Sequence, residues 1–280
     1  MELDFSNKNI DKSLATMSIS DVLAMLSKPF DQEGVAQNTH DKHFNNPNSE
    51  YYQMSVEAII EAWSTKGAES CRYGSLLDDY IGVMLTGTDI DKELYLLDND
   101  IDGDKRLKGL TESFNNFYSL VQKSGDMEFV DRERTVYYKV DDTHYIKGRF
   151  DALFRNKRTG KWVVIDWKSS GSVDKTKKPW TENLLGPANI YPGLNWYTYT
   201  MQLYFYKKAL IAGYLPEGTT EDDVEVMLVQ LPGITLNNGQ NFEIHKAAFQ
   251  YDSAFMDKLF AFAIKKNALL NMKKPKEEEK

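Results

Sequence analysis

Two aspartates and a lysine, Asp151, Asp166 and Lys168, stand in β-branched and aromatic runs on either side of the turn-like segment RNKRTG. If THYIKGRFDALF and KWVVIDWKSS are neighbouring antiparallel strands joined by a four-residue loop from Lys157 to Gly160, Asp151 falls opposite Asp166. Residues so opposed share a face, with β-carbons about 4.5–5.5 Å apart. Side chains alternate along a strand, so Lys168 joins that face while Val163, Ile165 and Trp167 take the other. Two carboxylates that close repel unless a proton or a hard cation lies between them, and Mg²⁺ or Mn²⁺ with oxygen ligands is the economical solution. Such a cation polarises a phosphoryl oxygen and acidifies a water, while an ammonium beside it orients that water or offsets charge on the phosphorane. Those are the parts that phosphodiester hydrolysis needs. A plainer reading, exposed strand carboxylates paired with Arg149 and Lys168, stays open at this level.

The elements that must hold these residues follow from periodicity. Residues 1–50 are polar and Asn/Asp-rich and read as an arm, broken by a short helix from Ile19 to Leu26 that Ser18 or Ser20 caps and that stops before Pro29. A loop follows. Val56, Ile59, Ile60 and Trp63 then mark a helix from Ser55 ended by Gly67, and Arg72 to Leu85 forms a second helical run that carries Asp78. Thr86 to Asp104 reads as an acidic loop, and Leu107 to Val121 as a helix. From Phe129 the pattern becomes a three-strand meander, followed by an irregular stretch, Ser169 to Thr198, of the length that in compact domains usually serves function. A helix from Tyr199 to Ala212, strands at 224–231 and 241–245, and a last helix from about Ser253 to Leu270 complete the chain. The expected organisation is an arm (1–50), one domain (51–272) and a charged tail (273–280), without internal repeats.

Composition bounds the partners. With 41% hydrophobic and 12% aromatic residues in 280, wholesale disorder is excluded, and a net charge of −8 argues against a uniformly basic nucleic-acid coat. Any polyanion must be met locally. Between Arg132 and Lys178 thirteen basic face six acidic residues, a net of +7 that leaves −15 elsewhere. Lys and Arg there would grip phosphates without reading sequence, although lysines also serve to protect sheet edges. Lys175, Lys177 and Lys178 interleave with Trp180, Tyr191, Trp196, Tyr197 and Tyr199, a mixture that suits stacking on unpaired bases or, equally, packing within a loop. One cysteine, Cys71, rules out a disulfide framework, a four-cysteine zinc site and a cysteine-held iron-sulfur cluster; it is expected to be buried or half-buried. It also fits a reducing compartment, and with no apolar run near the ~18 residues of a membrane span the chain reads as soluble and cytoplasmic. The four histidines show no ligand spacing.

Three segments together resemble the PD-(D/E)XK nuclease superfamily, and within it the RecB-like and phage exonuclease branch, which is similar to the mitochondrial genome-maintenance exonuclease. They are Gly148-Arg149-Phe150-Asp151, Asp166-Trp167-Lys168 and Gln202-Leu203-Tyr204-Phe205-Tyr206, in that order. Upstream, SVEAII (55–60) and Gly74-Ser75-Leu76-Leu77 also match, but Asp78 stands where relatives carry a metal-ligating His. The resemblance implies an α/β fold with a restriction-endonuclease-like core, a mixed sheet flanked by helices. It implies Mg²⁺ or Mn²⁺ held by Asp151, Asp166 and the carbonyl of Trp167, with either Asp78 as a substitute oxygen ligand or one more water on the metal. Lys168 would position the attacking water, Gln202 and Tyr206 would steady the lysine or a phosphate, and Glu133 occupies a position where relatives often carry Glu. Arg149, Lys175, Lys177, Lys178 and Trp180 are the expected DNA contacts. The implied activity is a metal-dependent DNA exonuclease acting on single strands or duplex ends beside replication or recombination proteins, in a bacterium or a phage-infected cell. The alternatives are a structure-specific or helicase-associated endonuclease, or a catalytically silent DNA-binding protein.

Overall fold

A computed structural model describes residues 3–7, 10–169, 173–178 and 181–273. In chain order the elements are β1 (Ala15–Ser18), α1 (Ile19–Met25), α2 (Gln32–His43), α3 (Val56–Thr86), α4 (Asp89–Asp98), α5 (Lys105–Ser124), β2 (Met127–Arg132), β3 (Thr135–Lys139), β4 (His144–Arg149), β5 (Ala152–Asn156), β6 (Trp162–Lys168), α6 (Asn195–Gly213), β7 (Val224–Gln230), β8 (Glu243–His245) and α7 (Ser253–Lys273), with short 3₁₀ turns at Gly186–Ile190 and Glu221–Asp223. They form two compact units, residues 1–28 with 109–280, and residues 29–108.

The second unit is helical. Trp63 Nε1 donates to the Tyr51 hydroxyl at 3.1 Å and Tyr95 donates to the carbonyl of Leu76 at 2.7 Å. α3 is one helix rather than two, since Gly67 faces open space and a lone exposed glycine costs only about 1 kcal/mol. Burial of Ile59, Leu77, Tyr80 and Ile81 outweighs that. Two further helices replace expected loop: α2, capped by Asp31, and α4, where Thr88 and Asp91 form a reciprocal capping box. Cys71, expected to be buried or half-buried, is exposed on α3.

In the first unit the beginning of the chain is not a free arm. Ser18 caps α1 and shares a capping box with Asp21, and Ile19, Val22 and Leu26 on one helical face are buried in the main core with Phe150, Phe205 and Phe260. β1 adds in parallel to β4, giving one sheet in the order β1-β4-β3; the other runs β2-β5-β6-β7-β8, with β6 and β7 parallel and the remaining pairs antiparallel. The expected three-strand meander is thus five strands shared between two sheets. The ribbon bends at Glu133, whose φ of 53° lies in the left-handed region, and at Phe150-Asp151. Glu133 N–H donates to the Asp151 carbonyl and Phe150 N–H to that of Arg134, each at 3.3 Å, which carries the hydrogen bonding around the corner. β6 is buried along nearly its whole length, as a central strand covered on both faces must be. On one face Trp167 meets the rings of Phe114 and Phe117 from α5, at 5.9 and 5.5 Å. α6 covers the other. The charged tail after Lys273 lies outside the described residues.

Candidate active site

The β5–β6 turn sets the register on which the site depends. Asn156 Oδ1 accepts from the N–H groups of Arg158 and Thr159, both at 3.0 Å, Gly160 takes the left-handed φ of 70° that a glycine allows, and Asn156 N–H donates to the Lys161 carbonyl at 2.8 Å. Ala152 therefore pairs with Ile165, and the next position brings Asp151 opposite Asp166. Asp151 sits at the corner just before β5, where its Oδ2 accepts from Trp167 N–H at 2.7 Å.

Asp166 is 1% exposed. Among the described residues neither of its oxygens has an aligned hydrogen-bond donor, and Oδ2 meets the Lys168 ammonium at 2.7 Å as an ion pair. A buried carboxylate so poorly solvated is unstable as an anion: burial pushes the pKa of Asp166 up, against the pull of Lys168. Burial presses on the Lys168 ammonium too, yet Asp166 and Asp151 overcome it and hold its pKa above the ordinary value. α6 supplies the opposite wall. Lys168 donates to Gln202 Oε1 at 3.4 Å, and the Gln202 amide donates to the Tyr206 oxygen at 2.9 Å, one turn along the helix. Tyr206 is 1% exposed, and burial, then Asp166 and Asp151, raise its pKa, so the phenol keeps its proton.

α6 can come this close because β4 carries Gly148. A β-carbon there would lie 2.6 Å from Phe205 and 2.9 Å from both Ile19 and Tyr206. The glycine is a packing requirement.

The donor set suits a hard cation. Two carboxylates, with the Trp167 carbonyl expected from the sequence, would offer only oxygen, the chemistry preferred by Mg²⁺ and Mn²⁺, and Asp166 is a buried carboxylate without an aligned donor that a cation would satisfy. Among the described residues no group of three or more His, Cys, Asp or Glu side chains converges as a metal centre, so the remaining positions would fall to water and substrate.

Other expected site residues sit as follows. Glu133 pairs with Arg149 at 2.7 Å, so Arg149 neutralises that corner glutamate. Asp78, half-buried, stands on α3 in the other unit. Lys175 pairs with Glu243 at 3.0 Å, Lys177 donates to Asn183 Oδ1 at 2.8 Å, and Lys178 N–H donates to the Thr181 hydroxyl at 3.0 Å. Trp180 lies outside the described residues. Tyr191 and Tyr197 stack on each other and on Phe249 with Tyr191 only 4.5 Å from it, and Trp196 donates to the Lys246 carbonyl. These aromatics pack the loop.

Near the centre, the sequence read Tyr199 only as a stacking or packing aromatic and left Gln230 unmarked. Tyr199 places its ring centroid 4.7 Å from Lys168 Nζ. Its spacing of three and seven from Gln202 and Tyr206 was the available signal. Gln230 lies beside Lys168 in the β6–β7 register and accepts from the buried His245 at 2.9 Å; a glutamine ending the apolar run VEVMLVQL was the hint.

Residues 88–277, more than half of the chain, match the family model of the PD-(D/E)XK nuclease superfamily. The match takes in all three motif segments and begins after Asp78. No curated protein matches the chain. The α/β core with mixed sheets flanked by helices is that of the restriction-endonuclease-like fold.

Proposed function

Because the chain belongs to the PD-(D/E)XK nuclease superfamily, whose members typically use divalent cations, we propose that it is a Mg²⁺- or Mn²⁺-dependent DNA exonuclease of the RecB-like and phage type, similar to the mitochondrial genome-maintenance exonuclease. The observation that carries this reading is Asp166: a fully buried carboxylate with no aligned donor, beside Asp151 and ion-paired to Lys168.

Asp151, Asp166 and the Trp167 carbonyl would hold the cation, with water and substrate oxygens filling its remaining positions. When bound, it polarises the scissile phosphoryl oxygen and acidifies a water. Lys168 orients the attacking water and offsets charge as the phosphorane forms. Gln202 keeps the ammonium in place, and Tyr206, held by Gln202, keeps a protonated phenol near the two carboxylates. Glu133 acts through Arg149, fixing the corner from which Asp151 projects. Lys175, Lys177, Lys178 and Trp180 contact the strand. The setting is DNA recombination, replication or repair, in the cytoplasm of a bacterium or phage-infected cell, with partner proteins on the same DNA.

The deciding experiment compares end-labelled linear DNA with closed circular DNA, each with Mg²⁺ and with EDTA. Degradation of linear DNA alone, stopped by EDTA, is expected. Cleavage of the circle would make the enzyme an endonuclease, and no Mg²⁺-dependent cleavage of either would leave a DNA-binding protein.

A further inference from the structure

The side chain proposed to orient water is a lysine on a four-carbon stem, and such an ammonium wanders unless it is held. Its shortest hold is Asp166 Oδ2 at 2.7 Å. That carboxylate is also the one assigned to the cation, so the ion pair must share its oxygens once metal is bound. The second hold, Gln202 Oε1, is long at 3.4 Å. The third is the ring of Tyr199, with its centroid 4.7 Å from Nζ, inside the ~6 Å range of a cation–π contact. A π face attracts the ammonium without offering a lone pair to a divalent ion, so this contact survives when the cation takes Asp166. It is also desolvated, because the Lys168 side chain is only 20% exposed, and exclusion of water strengthens cation–π attraction. Helix geometry supports the assignment: Tyr199, Gln202 and Tyr206 recur at i, i+3 and i+7 on α6, so one face delivers all three side chains to the centre.

We propose that Tyr199 is a positioning residue, whose ring rather than its hydroxyl holds Lys168 where it meets the attacking water. This rests on the nuclease reading above. If it is right, Tyr199→Phe keeps the ring and most of the turnover, while Tyr199→Leu keeps bulk, loses the π face and lowers kcat roughly tenfold with KM little changed, the size expected of a desolvated cation–π contact. A Tyr199→Leu variant with wild-type kcat, or a Tyr199→Phe variant as slow as Tyr199→Leu, would overturn the assignment. A second readout needs neither metal nor DNA. In lysine-labelled protein the ε-methylene protons of Lys168, assigned with Lys168→Arg, should be shifted upfield by the ring current in the wild type and in Tyr199→Phe, and return to the ordinary position in Tyr199→Leu. Absence of the shift in the wild type defeats the proposal even if Tyr199→Leu fails to fold. Loss of the nuclease reading, by contrast, would show as no cleavage by the wild type with the upfield shift still present.

Discussion

A carboxylate sealed from water without aligned donors is costly to keep charged, and Asp166 bears that cost between Asp151 and Lys168. Because its folded pKa lies above the ordinary carboxylate value, the metal-free native state binds a proton more readily than the unfolded chain. The stability that Asp166 contributes is therefore present below the ordinary aspartate pKa and lost as pH rises through the raised one. In EDTA, the melting temperature of the wild type relative to Asp166→Asn should fall across that window; a difference flat in pH would mean the carboxylate is solvated after all. Adding Mn²⁺ should raise the melting temperature of the wild type and not that of Asp166→Asn, since only a state that binds the ion gains from it. Lys168 makes the complementary case. Lys168→Ala should lower kcat by at least about a hundredfold, the scale of a lost charge-stabilising group, while oligonucleotide binding in Ca²⁺ is retained. Full turnover in Lys168→Ala would remove it from the chemistry.

The centre depends on elements that bring three separate segments together, and Gly148 is where they press hardest. A methyl group at that position meets Phe205, Ile19 and Tyr206, all three buried in one core. Gly148→Ala should cost about 1–3 kcal/mol in denaturant unfolding, as overpacking does, and should slow cleavage by displacing the α6 face that carries Gln202 and Tyr206. Unchanged stability would mean that α6 yields freely. The Asp151–Asp166–Lys168 register was legible in the chain, because a four-residue turn and the two-residue strand period leave little choice. The division into two sheets was not, since it turns on a left-handed glutamate, Glu133, in which no glycine marks the bend. α4 was hidden by seven acidic residues between Asp89 and Asp104: its apolar residues Ile90, Leu94 and Leu97 do recur at helical spacing, but they are exposed and stand within a charged run. α1 was visible as a helix but not as core, because three buried side chains in a polar stretch look like an isolated patch until a sheet forms beneath them.

For the whole molecule the question is how a chain of net charge −8 approaches DNA. The stretch from Arg132 to Lys178 is locally positive, yet several of its bases are already engaged. Arg134, Arg158, Lys161 and Lys175 pair with Asp131, Asp126, Glu225 and Glu243, all outside the stretch, which spends part of the +7 on holding strands and loop in place. Lys147, Lys157, Lys177 and Lys178 are exposed, Lys177 donating to the neutral Asn183. Among the described residues no helix is long and apolar enough to cross a membrane. Three or four phosphate contacts predict a modest salt dependence: for a single-stranded oligonucleotide in EDTA, log K against log salt should have a slope of about −2 to −3, at roughly −0.7 per contact. Replacing Lys177 and Lys178 together by Ala should flatten it by about one to one and a half. Glu243→Ala should do the reverse, because releasing Lys175 from its carboxylate turns a structural ammonium into one free to meet a phosphate, and binding tightens at low salt. A slope near zero, or one that neither substitution moves, would take the nucleic acid away from this stretch and leave the lysines as protection for sheet edges.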